Sequence, residues 1–238
     1  MNFDEAEQTT MLRDTLRRFV EKEMPRELAR KLDKNASHSR EAFSKLCELG
    51  VTALAVPEEY GGSGVDILSA IVVIEELAKR GTSLAGPFIH CAFYGALNIL
   101  ENGNEAQKAD LLPKFARGEI LFAYGLSEPD VGGDLASAAV TATLNPDGKS
   151  VVINGTKRWV TGARIADYVY TLVRSGPKAE RYGNLSLVLV PTNSRGLTIV
   201  DIDHIGLRYA ETTDVIFDDV TVPVENIVGG PEAWNKGW

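Results

Sequence analysis

The sequence has little of what marks several common protein classes. Two cysteines in 238 residues, Cys47 and Cys91, with no CxxC spacing, exclude a disulfide framework and fit a reducing compartment, read here as the cytoplasm. Three scattered histidines, His38, His90 and His204, lack metal-ligand spacing, so no metal is expected. There is no G-x-S-x-G elbow, Walker loop or G-x-G-x-x-G fingerprint, which leaves a Rossmann unit unsupported. Positive charge is short as well. A net charge of −8 argues against nucleic-acid binding, which needs a basic face for phosphate. The N-terminus, Met-Asn-Phe-Asp-Glu-Ala-Glu, has neither an apolar core nor arginines, unlike a secretory or transit signal. Only Ser83 to Leu100 is uncharged for long enough to raise a membrane question. Its Pro87, His90, Tyr94, Gly95 and Asn98 make a buried helix the better reading, and no membrane partner is expected.

What is present is an ordinary globular composition, 44% hydrophobic and 24% charged. Its periodicity changes midway. Residues 4–117 read as helical. Leu12, Leu16, Phe19 and Val20 share one face, and Pro25 ends or bends that helix. Ser39 caps the next, which stops at Gly50. Pro57 to Gly64 is a loop, followed by helices over Asp66–Lys79, 83–101 and Glu105–Ala116. From about Ile120 the apolar runs become short and β-rich. Ala138–Leu144, Val151–Ile153, Tyr168–Val173, Leu185–Val190, Leu197–Ile202 and Asp214–Val220 read as strands, with turns at Asn145–Gly148 and Asn154-Gly155. Helices followed by strands predict an α+β chain of two domains, with the boundary near residues 117–121 and the strands forming a sandwich or barrel. Charge is also uneven. Residues 151–200 carry seven Lys/Arg against two Asp/Glu, and residues 201–238 carry two against eight. Such a basic stretch is either solvated surface or a surface for an anionic cofactor.

Two segments could carry chemistry. Tyr124-Gly-Leu-Ser-Glu-Pro-Asp-Val-Gly-Gly-Asp134 packs hydroxyl, carboxylate and glycine into one loop, where backbone N–H groups can approach a ligand closely. It is either a site or simply a well-made turn. Asn154-Gly-Thr-Lys-Arg-Trp-Val-Thr-Gly162 sets Trp159 beside Lys157, Arg158 and Thr161. That is a flat apolar wall next to polar groups, suited to a planar aromatic ligand. The competing reading is a core tryptophan at a strand end.

Together these segments resemble motifs of the acyl-CoA dehydrogenase family. The family loop Y-x-x-T-E-P-x-A-G-S-D stands here as Tyr124 to Asp134, and N-G-x-K-x-W-I-T-N as Asn154 to Gly162. P-E-E-Y-G-G-x-G stands as Pro57 to Gly64. The closing G-x-R…T…F-x-D-V-x-V-P-x-E-N-x-x-G stands as Gly206, Arg208, Thr213 and Phe217 to Gly229. The resemblance runs in order along the whole chain and implies a helical domain over 1–119, a β-barrel domain over 120–228, and a linker over 229–238. It implies FAD and the α,β-dehydrogenation of an acyl-CoA thioester to the 2-enoyl-CoA, as in fatty-acid β-oxidation. It also implies an electron-transfer flavoprotein or similar acceptor, and a homo-oligomer, dimer or tetramer.

By the same resemblance Tyr124, Leu126 and Ser127 lie along the flavin ring, Trp159 covers one face, and Thr161 hydrogen-bonds near N5. Glu128 belongs to the loop framework. Gly133 stands where the family has a serine contacting the CoA portion, and Gly162 replaces a common asparagine. Pro87, His90, Cys91 and Tyr94 line the acyl-tail pocket at helical spacing, unless they make a helix–helix contact. The catalytic glutamate is implied to lie in a third, helical domain beyond Trp238, so no catalytic residue is expected in this chain. The other readings are a flavin-dependent monooxygenase or oxidase of the same superfamily, and a non-catalytic subunit or fragment.

Overall fold

A computed structural model describes residues 5–177, 180–206, 208 and 211–237. The expected start of the helical region at Asp4 and the terminal Trp238 lie outside them. The chain divides into two compact units. One holds residues 1–97, 109–120 and 204–210; the other holds 98–108, 121–203 and 211–238.

The first unit is helical. It contains α1 (Glu7–Glu23), α2 (Arg26–Lys34), α3 (Arg40–Glu48), α4 (Ile67–Ala78) and α5 (Thr82–Cys91), and most of α7 (Glu105–Ala116). Leu16 and Val20 of α1 are buried as their spacing requires. The cap at Ser39 falls where the sequence puts it, and Asp66 proves to be a second cap. The Ser39 side chain accepts from Ala42 N–H, and the Asp66 carboxylate accepts from Ser69 N–H. The chain restarts after Pro25 as α2, a helix that the apolar pattern does not announce because none of its residues is buried. In the Pro57–Gly64 loop, a Cβ on Gly62 would sit 1.8 Å from the Val56 carbonyl oxygen, so only glycine fits.

The apolar stretch 83–101 is helical throughout but not uniformly α. After α5 comes a π-helical segment, Ala92–Leu97, and then α6 (Asn98–Asn102). By length and composition this is a helix able to cross a membrane, but two-thirds of its apolar window (67%) is buried inside the protein.

The second unit is a seven-stranded sheet: β1 (Phe122–Gly125), β2 (Thr141–Leu144), β3 (Ser150–Thr161), β4 (Tyr168–Arg174), β5 (Leu185–Pro191), β6 (Leu197–Asp201) and β7 (Thr212–Pro223). The order is β1-β4-β2-β3-β7-β6, with β5 on β4. The expected β-barrel takes the form of a curled half-barrel: among the described strands, no pairing joins β6 back to β1 or β5. Strand β5 pairs along all of β4, so β1 and β2 share the other edge. Phe122–Gly125 pair with Tyr168–Thr171, and Thr141 meets Arg174 further along. The expected turn at Asn154-Gly155 is absent. The chain continues as one strand through a register shift between Ile153 and Gly155, with Gly155 at φ 128°. The bulge replaces the turn because Asn154 pairs across the sheet, its side chain bonding both the carboxylate and the N–H of Asp219.

Candidate functional site

The segment 126–140 leaves the edge of β4 at the end of β1 and rejoins it at β2. Its geometry is set by ions beneath it. Glu128 is 6% exposed; its carboxylate accepts from Ala139 N–H at 2.7 Å and Val140 N–H at 2.9 Å. Lys157 of β3, fully buried, donates to the same carboxylate at 2.8 Å and to the Leu126 carbonyl at 2.9 Å. Burial pushes the Lys157 ammonium down from its ordinary value, and Glu128 opposes that shift. Glu128 is therefore the framework residue that the resemblance implies. All of its polar capacity is turned inward.

The loop is tied to β3 by backbone as well. Arg158 N–H donates to the Ser127 carbonyl at 2.8 Å. This places Leu126 and Ser127 beside a segment of β3 that carries Trp159. The pairing of β3 with β7 slips between Lys157 and Val160, and within that slip Trp159 has φ 61°. A left-handed conformation at a tryptophan is a strained choice. Its effect is to turn the indole outward, 57% exposed. The core-tryptophan reading is thereby excluded. The Arg158 guanidinium lies 5.4 Å from the Trp159 ring centroid and pairs with Asp214 through two 3.1 Å contacts. Thr161, partly buried, ends β3 opposite Thr212.

Tyr124 stands on β1 with its ring 5.4 Å from that of Tyr170, and its phenol oxygen accepts from the Asn98 side chain. Burial, with the neighbouring Tyr124, pushes the Tyr170 phenol up. Gly133 is at the exposed tip of the loop, and a Cβ there would meet nothing within 4 Å. Next to it, Asp134 accepts from Ser137 at 2.6 Å and pairs with Arg181.

The β unit thus gathers Tyr124, Leu126, Ser127, Gly133, Trp159 and Thr161. Pro87, His90, Cys91 and Tyr94 belong to the helical unit. The expected common face of those four does not hold for Cys91. Its thiol is fully buried and donates to the Phe115 carbonyl at 3.2 Å, so it serves packing against α7. His90 and Tyr94 stack edge to face at 5.0 Å, across the start of the π-helical turn. Phe217–Gly229 is also framework. Gln107 donates to the carbonyls of Glu225 and Ile227 at 2.9 and 2.7 Å and accepts from Gly229 N–H. Arg174, Asn98 and Asp214 were not legible as site residues. A lone arginine closing the apolar run Tyr168–Val173 is the one signal the sequence offered.

Comparison with known proteins agrees with this geometry. Residues 6–119 match the acyl-CoA dehydrogenase N-terminal domain and residues 123–220 the acyl-CoA dehydrogenase middle domain. A probable acyl-CoA dehydrogenase of Bacillus subtilis, YngJ, is 34% identical over 97% of this chain and 60% of its own length. An acyl-CoA dehydrogenase complexed with FAD from Bacillus anthracis superposes with a TM-score of 0.85 at 30% identity, covering 98% of this chain and 38% of that one. A chain from a structure of the electron transferring flavoprotein of Acidaminococcus fermentans gives 0.89 at 29%, covering 100% of this chain and 61% of that one. The chain spans about 60% of the length of the curated relative it matches. With both domain families matched in order, and with the loop, bulge and tryptophan in place, this chain belongs to the acyl-CoA dehydrogenase family.

Proposed function

We propose that this chain forms the flavin-facing and part of the substrate-facing wall of an enzyme that oxidises the Cα–Cβ bond of an acyl-CoA thioester, giving the 2-enoyl thioester. The observation that carries this is the outward indole of Trp159, held at φ 61° in a bulge beside the Ser127 loop. An exposed planar ring on the strand that ends at Thr161, with Ser127 bonded through its carbonyl to the neighbouring Arg158 N–H, fits a cofactor with a flat apolar face and a polar edge, as FAD has. Bound FAD supplies the acceptor for the β-hydride while a carboxylate base takes the α-proton.

The chain's own residues bind and orient. Trp159 covers one ring face. Leu126 contributes backbone groups, and Ser127 and Thr161 offer hydroxyl donors to the polar edge, where negative charge is stabilised. Tyr124, on β1, is held by the side chain of Asn98. Glu128 is not the base, because Lys157, Ala139 and Val140 occupy its carboxylate. We place the base outside residues 1–238. Electrons pass to an electron-transferring flavoprotein, a reading supported by the likeness to the Acidaminococcus fermentans chain.

The test is a flavin spectrum of the full-length protein, followed by anaerobic titration with a panel of acyl-CoA thioesters. A yellow protein that bleaches with one of them is expected. A colourless protein, or one that no thioester bleaches, overturns the reading.

A further inference from the structure

The ion pair under the loop has a counterpart that the proposed chemistry does not use. Arg174, at the end of β4, is 8% exposed. Its guanidinium donates to the Ala136 carbonyl at 2.6 Å, the Ala138 carbonyl at 2.7 Å and the Asn184 side-chain oxygen at 2.7 Å. Among the described residues no carboxylate lies within ion-pair distance of it. A buried cation held only by neutral acceptors is costly unless every donor it turns inward is matched. Here two of the three acceptors are the carbonyls of Ala136 and Ala138, on the returning arm of the loop.

Glu128 holds that same arm from the opposite sign. Ala136 and Ala138 present their carbonyls to Arg174, and Ala139 and Val140 present their N–H groups to Glu128. The arm is therefore clamped between a cation and an anion. Charge-assisted hydrogen bonds are shorter and stronger than neutral ones. The Arg174 side reaches further. Asn184, its third partner, donates to the Pro177 carbonyl, and Arg181 of the same β4–β5 connection pairs with Asp134 on the loop. The segment between β4 and β5 is thus coupled to the stretch beside Gly133.

We infer that Arg174 is a positioning residue for the acyl-CoA-facing loop: it fixes residues 134–138, and through them the placement of Gly133 and Ser127, without touching a ligand itself. This inference rests on the proposed flavin and acyl-CoA reading. A buried arginine whose only role was sheet stability would have no effect on ligand binding once the protein was folded.

The experiment uses the full-length protein carrying Arg174→Met, Arg174→Lys and, as a milder cut in the same network, Asn184→Ala. Folding is checked by thermal melting. Amide hydrogen exchange is followed at Ala139 and Val140, flavin content by absorbance, and KM and kcat with the acyl-CoA that bleaches the wild type. Arg174→Met, which removes three charge-assisted hydrogen bonds, is expected to speed exchange at Ala139 and Val140 and to raise KM about tenfold, with a smaller effect on kcat. Arg174→Lys recovers part of both, and Asn184→Ala shifts KM in the same direction. A lower melting temperature with unchanged exchange, flavin content and KM in the variants that fold overturns the inference. If Arg174→Met does not fold, unchanged values in Asn184→Ala and Arg174→Lys overturn it equally. A wild type that binds neither flavin nor acyl-CoA defeats the functional reading instead, and the exchange rates then report on the clamp alone.

Discussion

Lys157 and Glu128, 29 residues apart in sequence, meet at 2.8 Å with both side chains essentially excluded from water. Removing one partner of such a pair leaves a buried charge uncompensated, at a typical cost of about 3–5 kcal/mol. Lys157→Met is therefore expected to be more destabilising than Lys157→Met combined with Glu128→Gln. Urea melts of the four proteins of that double-mutant cycle measure it. Additive single losses would show that the two groups do not depend on each other.

Trp159 gives a second expectation, which separates backbone from ring. At φ 61° an L-residue pays about 1–2 kcal/mol that glycine does not. Trp159→Gly should then melt higher than Trp159→Ala, while both lose flavin more readily than the wild type. The order of the two melting temperatures, and flavin retained through gel filtration, check the two halves separately.

Two glycines are expected to behave oppositely. A Cβ at Gly133 meets nothing within 4 Å, so Gly133→Ser should change stability by no more than about 0.5 kcal/mol and lower KM for acyl-CoA by adding a hydroxyl. A Cβ at Gly95 would lie 2.0 Å from the Phe115 ring, so Gly95→Ala should be severely destabilising. Equal effects at the two positions would contradict the packing described.

Acid should act on the helical unit through Glu76. This carboxylate is 1% exposed, bonded by Arg13 and Lys79 at 2.7 Å and approached by Arg17 at 3.4 Å. Burial alone would push it up, but the hydrogen bonds from Lys79 and Arg13 outweigh burial and hold it below its ordinary value of 4.5. A carboxylate that ionises more easily when folded contributes stability above its unfolded value, and that contribution is lost as pH falls through the folded one. The melting temperature should therefore drop below about pH 4.5, and more steeply for the wild type than for Glu76→Gln. Parallel pH profiles would remove Glu76 from the acid response.

Much of the helical unit was legible because its ends carry local signals: Ser39 hydrogen-bonds the N–H group that its position implies, and Asp66, read as the first helical residue, caps the helix that follows it. The order of helices and strands was legible from periodicity. The features that were not legible depend on partners distant in sequence. Asn154-Gly155 has the composition of a turn, yet Asp219, 65 residues on, makes it a bulge. The π-helical turn after Cys91 has no residue signature, so α-helical spacing could not place Tyr94 against Pro87 and His90, and the Cys91 thiol is held by Phe115, a partner 24 residues on. Within the loop, the motif named the residues, but the roles of Lys157 and Arg174 come from three-dimensional proximity alone.

The shared edge of β4 has one more consequence. Between the pairing of Gly125 with Thr171 and that of Thr141 with Arg174, the host strand advances three residues, about 10 Å. The stretch 126–140 departs and lands on one rail whose length it does not set. It is a cassette: substitutions and changes of length at its tip, around Gly132 and Gly133, are expected to leave the strand register of the half-barrel untouched. The shape of the loop tip is in this way separated from the pairing of the strands that carry it.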